Sequence, residues 1–324
     1  MHISFADFFC DPATGADLRL EITAREGDDV REGAFVSPTA RYPIVSGVPR
    51  FVPMDPNYAQ SFGWQWKRWP RVQFESENVG KPMEGYTRRM WEMVTGWETY
   101  PVPGAGKVIA DIGCGPGRFV DVARANGFRV IGVDYSGVVD VAAQNFRGDP
   151  DVCICQADAL NLPIRTASLD ALYTQGVLHH TPNPRRGVEQ MFRAAKPGAW
   201  VSVNVYGRSS YYDNPKVQAW RRLFNWLWPV FGPRLPLLYA YFAADVTRPL
   251  LKYVHPLGRV LRFFFPMCEL PDRNWTLLDT FDSVTPAYQS THTSYEVYSW
   301  MKGIGFNQIE PTNWGFCAYR GVKP

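Results

Sequence analysis

The chain has 324 residues, 46% of them apolar and 20% charged. That is enough to bury a sizeable core in about two domains, or in one large domain with additions, and it excludes disorder as the default. A formal charge of +3, from 34 basic and 31 acidic residues, is too small to argue for a nucleic-acid partner. Six cysteines without a C-x-x-C pair exclude a disulfide scaffold and fit reduced thiols in a cytoplasm. The opening MHISFADFFCDP has no basic start before an apolar run, so no signal peptide is expected. No run of about 18 clean apolar residues predicts a spanning helix.

Taken in chain order, residues 1–55 are punctuated by Pro and Gly, which predicts a small β module with strands at 18–23, 33–37 and 42–53. Residues 56–105 carry Trp64, Trp66, Trp69, Trp91 and Trp97 and read as a helical connector and lid. Pro101, Pro103, Gly104 and Gly106 close it. From 106 to 206, apolar runs at 107–113, 128–134, 151–158, 169–176 and 200–207 alternate with helical patterns. Those helices fall at 118–127, at about 136–147, and from Pro184 to a stop at Lys196-Pro197-Gly198. This alternation predicts an α/β fold, a doubly wound and mostly parallel sheet covered on both faces. Residues 207–280 break the alternation as a helical, aromatic and basic insert. From 205 to 270, Arg208, Lys216, Arg221, Arg222, Arg234, Arg248, Lys252, Arg259 and Arg262 stand against Asp213, Asp245 and Glu269, nine basic minus three acidic, or +6. The last segment, 281–324, predicts a helix at 293–303 and two strands, 306–313 and 315–323, spaced for a hairpin.

The strongest local signal is Asp111-Ile-Gly113-Cys-Gly115-Pro-Gly117, between a strand and a helix. Glycines at the carboxyl end of a parallel strand let the backbone turn sharply and approach a ligand. The dinucleotide fingerprint G-x-G-x-x-G requires glycine where Arg118 stands, so it fails, and no G-x-x-x-x-G-K-S/T phosphate loop exists. D-x-G-x-G-x-G suits a nucleoside without a pyrophosphate. Asp134 ends the next strand, where an acid can accept from both ribose hydroxyls. Asp158 ends the third, where a carboxylate could accept from an adenine amine.

These residues resemble the class I S-adenosylmethionine-dependent methyltransferases, in particular the small-molecule group that includes quinone methyltransferases. DIGCGPGRF is similar to the family's first motif, VIGVDYS to its second and QADALNLPI to its third. LDALYTQGVLHHTPNP is similar to the fourth, and AKPGAWVSVNVYG to the fifth-strand segment. The resemblance implies a Rossmann-like, seven-stranded sheet whose last two strands form an antiparallel hairpin. It implies S-adenosylmethionine as cofactor and S-adenosylhomocysteine as product. Gly113, Gly115 and Gly117 would pass along the cofactor, with Asp111 near its methionine portion and Asp134 on ribose. Tyr135 would lie on adenine, Asp158 and Ala159 along its edge, and Gln175 and Gly176 at the methionine end.

Methyl transfer from a sulfonium requires alignment and exclusion of water, and a hydroxyl acceptor also requires a base. Histidine suits that role near neutral pH. His179 and His180 follow the fourth strand, at the sheet edge where the methyl group is expected. Relatives with Glu-His here include metal users. His-His lacks the carboxylate, so no metal is expected. Tyr288 and His292 precede the last helix, whose start faces the acceptor side. Thr293 and Glu296 there have capping-box spacing, which is a structural reading of part of the same motif. Tyr288, His179, His180 and His292 are the expected catalytic residues. The expected reaction is O-methylation of a small-molecule, glycan or lipid-linked acceptor. A methyltransferase-like binding protein without catalysis is the alternative.

The N-terminal segment resembles a Trm112-like zinc ribbon. Its four cysteine positions fall at Cys10, Thr14, Ser37 and Ala40. A tetrahedral site needs four ligands, so no zinc is expected. The insert has three readings: a helical lid over the sheet, a pocket for a large or lipid-linked acceptor, and membrane-surface docking through 207–275, since arginines with Trp and Phe suit an anionic interface.

Overall fold

The computed structural model describes residues 1–53, 59–97, 104–312 and 317–324. Pro101, Pro103, the boundary drawn at 55, and the link between the two final strands at 313–316 lie outside the described residues.

Four antiparallel strands come first, β1 (Arg19–Glu26), β2 (Asp29–Val36), β3 (Arg41–Val45) and β4 (Val48–Pro49), paired in chain order. Ser46 and Gly47 both take positive φ, which makes the tight turn between β3 and β4. The inner residues Phe35 and Ile44, with Phe5, Phe9 and Phe51, are buried in one core with Leu162 and Ile164 of the main body. This sheet therefore has no separate core of its own.

Helices α1 (Gln60–Arg68) and α2 (Tyr86–Thr95) follow. Left-handed Gly85 and Gly96 bound α2, a backbone conformation glycine adopts without strain. Then β5 (Val108–Ile112), α3 (Arg118–Ala125), β6 (Arg129–Asp134), α4 (Val139–Asn145), β7 (Val152–Gln156), β8 (Leu169–Gln175), α5 (Pro184–Ala194) and β9 (Ala195–Asn204) alternate. Every residue of β5 and β7 is buried, as expected of strands covered on both faces. Asn183 caps α5 by accepting from the Arg186 N–H, with Pro184 in the first turn.

The insert is five helices: α6 (Pro215–Phe231), α7 (Arg234–Phe242), α8 (Arg248–Tyr253), α9 (His255–Phe264) and α10 (Arg273–Val284), with one π-helical turn at Ala243–Thr247. The chain ends in α11 (Ser294–Ile304), β10 (Asn307–Pro311) and β11 (Ala318–Val322). Thr293 and Glu296 form the expected capping box at the start of α11.

The main sheet has seven strands in the order β10-β11-β9-β8-β5-β6-β7. All neighbours from β9 to β7 are parallel, and β11 is antiparallel to both β9 and β10. The order reverses at β5, which lies between β6 and β8. A crevice opens beyond the strand ends at such a switch point. Among the described residues, no helix is long and apolar enough to cross a membrane.

Candidate active site

The loop after β5 is held by the neighbouring strand. The Gly113 and Cys114 N–H groups donate to the Val133 carbonyl at 2.7 and 2.9 Å. The Gly115 N–H donates to Asp134 Oδ2 at 3.0 Å. Asp134 Oδ1 accepts from the Ser136 N–H and from Ser136 Oγ, each at 2.8 Å. Burial pushes the Asp134 carboxyl up, and these donors oppose that rise. Gly113 sits at φ 85°, and a Cβ there would lie 2.3 Å from a Val177 methyl carbon, so only glycine fits. At Gly115 the indole of Trp66 covers the loop, 3.4 Å from where a Cβ would stand.

One cavity of about 560 Å³ runs over this loop. Of the expected cofactor residues, its wall contains Gly113, Gly115, Asp134, Tyr135, Ala159, Gln175 and Gly176. The structure does not bring Asp111, Gly117 or Asp158 to that wall. Asp111 is buried behind the loop, one carboxylate oxygen has no hydrogen-bond partner, and its desolvation pushes it to about 8. Gly117 starts α3, where a Cβ would strike the Phe146 ring. Asp158 turns back to accept from its own loop, at the Leu160 N–H.

The expected catalytic residues separate. His180 lines the cavity. Its Nδ1 donates to the Tyr288 carbonyl at 2.9 Å, which leaves Nε2 as a lone pair without a hydrogen-bond partner. Burial lowers the ring to about 4, so it is neutral at pH 7. His179 is fully buried behind it. Its ring stacks on Tyr206 at 3.6 Å, and its Nδ1 accepts from the Tyr206 N–H. Tyr206 in turn stacks on Tyr212 at 3.7 Å, and both tyrosines line the cavity. Neither Tyr288 nor His292 is on the cavity wall. Tyr288 serves through its backbone carbonyl, and its side chain is half exposed. His292 hydrogen-bonds Ser290 at 2.8 Å, packs its ring edge on Trp300, and bridges its backbone to residues 206–208. The grouping of three histidines and a tyrosine around one methyl group therefore does not form. The helix-start motif braces Tyr206 instead.

Sequence reasoning missed the opposite wall. Asp279 and Asp282, one turn apart on α10, line the cavity with Arg118, Gln65 and Gln73. Gln73 donates to Asp279 at 3.2 Å and Gln65 to Asp282 at 3.1 Å. Desolvation, and for Asp279 also the neighbouring Asp282, pushes these carboxyls to about 7 and about 6, against the pull of the Arg118 guanidinium. The spacing of three puts the two acids on one face of a helix, but nothing in the sequence says which surface that face meets.

At the N-terminal module, Asp11 joins the segment 11–14 to the segment 37–40, where the expected cysteine positions fall. It accepts from Ser37 Oγ at 2.5 Å and from the Ala13 and Thr14 N–H groups. Among the described residues, no group of three or more His, Cys, Asp or Glu side chains is arranged to hold a metal ion.

The sheet order and the loop at its switch point have the Rossmann-like arrangement of the class I S-adenosylmethionine-dependent methyltransferase fold. The model of the methyltransferase domain family matches residues 110–203, and the chain is an enzyme of this kind with S-adenosylmethionine as its cofactor. A demethylmenaquinone methyltransferase of Clavibacter sepedonicus is 24% identical over 240 residues, 73% of this chain and 80% of that protein. The probable tRNA methyltransferase 9B of Homo sapiens is 35% identical over 104 residues, 31% of this chain but only 22% of that protein. That similarity runs against the exclusion of nucleic acid drawn from the charge balance. Among solved structures, the complex of the Haloferax volcanii Trm112 methyltransferase activator with a methyltransferase is 13% identical, with a TM-score of 0.47, covering 81% of this chain and 97% of that one.

The residues present fit the cofactor. Gly176 has open space where a Cβ would stand, Asp134 lies on the cavity wall, and the buried Gln175 Oε1 has no protein partner.

Proposed function

We propose that this chain methylates a hydroxyl of a small-molecule, glycan or lipid-type acceptor held between the Tyr206–Tyr212 stack and α10. The observation that carries this reading is one cavity with the glycine loop at its floor and two kinds of proton acceptor, His180 and the Asp279–Asp282 pair, in its walls. Asp134 would hold the ribose hydroxyls, Tyr135 and Ala159 the adenine, and Gln175 and Gly176 the methionine end. Gly117 and Asp111 would act from behind, by packing the loop. When bound, S-adenosylmethionine supplies an electrophilic methyl carbon on a sulfonium.

The two acceptors divide the work by basicity. A general base is most effective with a pKa near the working pH. His180, at about 4, is too weak to take an alcohol proton but keeps an open lone pair for a second donor of the acceptor molecule. Asp279, at about 7, is matched to neutral pH. In this proposal the ionised member of the carboxylate pair accepts the hydroxyl's hydrogen bond and receives its proton as the O–C bond forms and the S–C bond breaks, while His180 orients the acceptor through another of its polar groups.

Titration calorimetry with S-adenosylhomocysteine tests the cofactor half. Asp134→Ala is expected to weaken binding by about 1.5–3 kcal/mol, the range for hydrogen bonds to a charged group. An unchanged affinity overturns the ribose assignment. Transfer of labelled methyl to a panel of phenols, hydroquinones, sugars and tRNA tests the acceptor half. The tRNA arm follows from the relatives that carry that substrate in their names. Asp279→Asn is expected to lower turnover while keeping S-adenosylhomocysteine affinity. Label found only in tRNA overturns the small-molecule reading.

A further inference from the structure

The insert carries a surface that the methyl-transfer cavity does not use. On α9, the sequence His-Pro-Leu-Gly-Arg-Val-Leu-Arg-Phe-Phe sorts into two sides at the helical period. Leu257, Val260, Leu261 and Phe264 share one side, His255, Arg259 and Arg262 the other, and Phe263 stands at the border beside Arg259. An amphipathic helix normally turns its apolar side inward. Here Leu257, Val260, Phe263 and Phe264 are 48%, 54%, 59% and 59% exposed. The helix is held through Gly258, where a Cβ would lie 2.4 Å from the Leu251 nitrogen, so α8 and α9 touch backbone to backbone. Tyr253 and Val254, just before it, are also exposed.

The charge beside this face is net positive. Lys216, His255, Arg259 and Arg262 line a cleft of about 370 Å³ along α9, with Glu269 as its one acid. Glu269 is paired to Arg262 at 2.6 Å. Lys216 Nζ lies 2.8 Å from the Phe263 ring centre, where the cationic and aromatic sides meet. Across 205–270 the balance is +6, nine basic minus three acidic, although the chain carries only +3. A protein partner of ordinary composition would complement either the apolar side or the cations. An anionic bilayer surface complements both, with head-group phosphates against the cleft and acyl chains against the phenylalanines.

We propose that α9 and the cationic cleft beside it dock this enzyme on a membrane surface containing anionic phospholipid. The helix lies in the plane of the interface, with Leu257, Val260 and Phe264 at the acyl boundary and Phe263 where that boundary meets the cationic cleft. This surface stands on observations separate from the acceptor chemistry, so a failure here leaves S-adenosylhomocysteine binding and the panel of acceptors untouched.

The test is co-sedimentation of the full chain with vesicles of phosphatidylcholine alone and of phosphatidylcholine with about one-third phosphatidylglycerol. At roughly 1 kcal/mol per basic residue near the surface, engagement of Arg259 and Arg262 predicts at least about tenfold more binding to the anionic vesicles, lost in high salt. Phe263→Ser with Phe264→Ser, and separately Arg259→Glu, are each expected to abolish the preference with S-adenosylhomocysteine affinity unchanged. Equal binding to both vesicles, no binding, or variants that bind like the wild type overturns the proposal. So does a dimer in solution that the Phe263/Phe264 variant converts to monomer, because a second copy then covers α9. Saturable binding of inorganic phosphate at the cleft without vesicle binding overturns it too, and assigns the cleft to a free anion.

Discussion

The sheet edge and the insert face each other across one cavity, and they are built on opposite terms. On the sheet side, fully buried β5 and the Val133 carbonyl of β6 fix the loop after β5, and backbone donors fix Asp134. On the insert side, two carboxylates stand in a desolvated wall with one glutamine each, and apolar residues such as Trp226 remain 76% exposed on the outer surface. The first arrangement is set by geometry that tolerates little change. The second holds charge and apolar surface that folding alone does not repay. The proposed function assigns cofactor recognition to the rigid half and acceptor chemistry to the costly half.

The largest expected effect breaks the rigid half. Gly113→Val places two methyls into Val177, where even a Cβ would be 2.3 Å away, at a φ of 85°. Strained backbone of this kind costs about 1–3 kcal/mol before the clash is counted. Loss of measurable S-adenosylhomocysteine binding, with a lowered unfolding midpoint, is expected. Gly148→Ala is the control. It has positive φ, no atom within 4 Å of the new Cβ and no place on the cavity wall, so only the backbone cost remains. Equal damage from the two would show that crowding on Val177 does not matter.

The next effect probes the costly half. Asp279 and Asp282 have folded-state values of about 7 and about 6, above the ordinary carboxylate range. Between those ranges the folded chain binds more protons than the unfolded one. Stability is then fully present below about pH 4 and falls as pH rises through about 6 to 7. Urea unfolding at a series of pH values measures this slope. Asp279→Asn with Asp282→Asn is expected to remove part of it, and Asp111, pushed to about 8 by burial, keeps the rest. A slope unchanged in the double variant means that the pair is ionised at little cost.

The contrast between the halves also explains what was legible. Strand periodicity, the D-x-G-x-G-x-G spacing and acids at strand ends are local signals, and each maps to a fixed place in a parallel sheet. Seven of the ten expected cofactor residues reach one cavity wall for that reason. Asp158 does not, because a loop acid can satisfy its own backbone, and here Leu160 offers the donor. The acceptor wall depends on which helix of the insert folds over the sheet, which no local pattern encodes. Asp279 and Asp282 read as ordinary helix acids until α10 is seen against α1. In the N-terminal module the missing cysteines were legible. The substitute was not, since Asp11 joins to Ser37 across 26 residues.

That junction yields a middle-sized prediction. Asp11→Ala removes the acceptor for the buried Ser37 hydroxyl and for two backbone N–H groups. Leaving such donors unsatisfied costs about 1–3 kcal/mol. Because Phe9 and Phe35 share the core of the main body, the loss is expected to appear in the single global unfolding transition rather than in a separate early one. An early, separate transition would show that the module unfolds on its own.

The smallest effect is expected at a histidine that the motif placed in the active site. His292 is off the cavity wall, and its side chain meets Ser290, Glu296 and Trp300. What it gives the site comes through its backbone. Its N–H donates to the Tyr206 carbonyl at 2.9 Å, and its own carbonyl accepts from the Arg208 N–H at 2.9 Å. A side-chain replacement leaves both bonds in place. His292→Gln also keeps a polar group for Ser290, so turnover within about twofold of wild type and an unchanged pH profile are expected. His180→Gln differs, because it removes the lone pair at Nε2 from a residue on the wall. Removing one hydrogen bond to a neutral acceptor costs about 0.5–1.5 kcal/mol, so a fall of roughly two- to tenfold in kcat is expected, with cofactor affinity kept. If His292→Gln instead lowers turnover by orders of magnitude and abolishes a titration in the histidine range, the imidazole itself enters the reaction. The wall described by Tyr206, Tyr212 and α10 would then have to open toward α11 during the catalytic cycle.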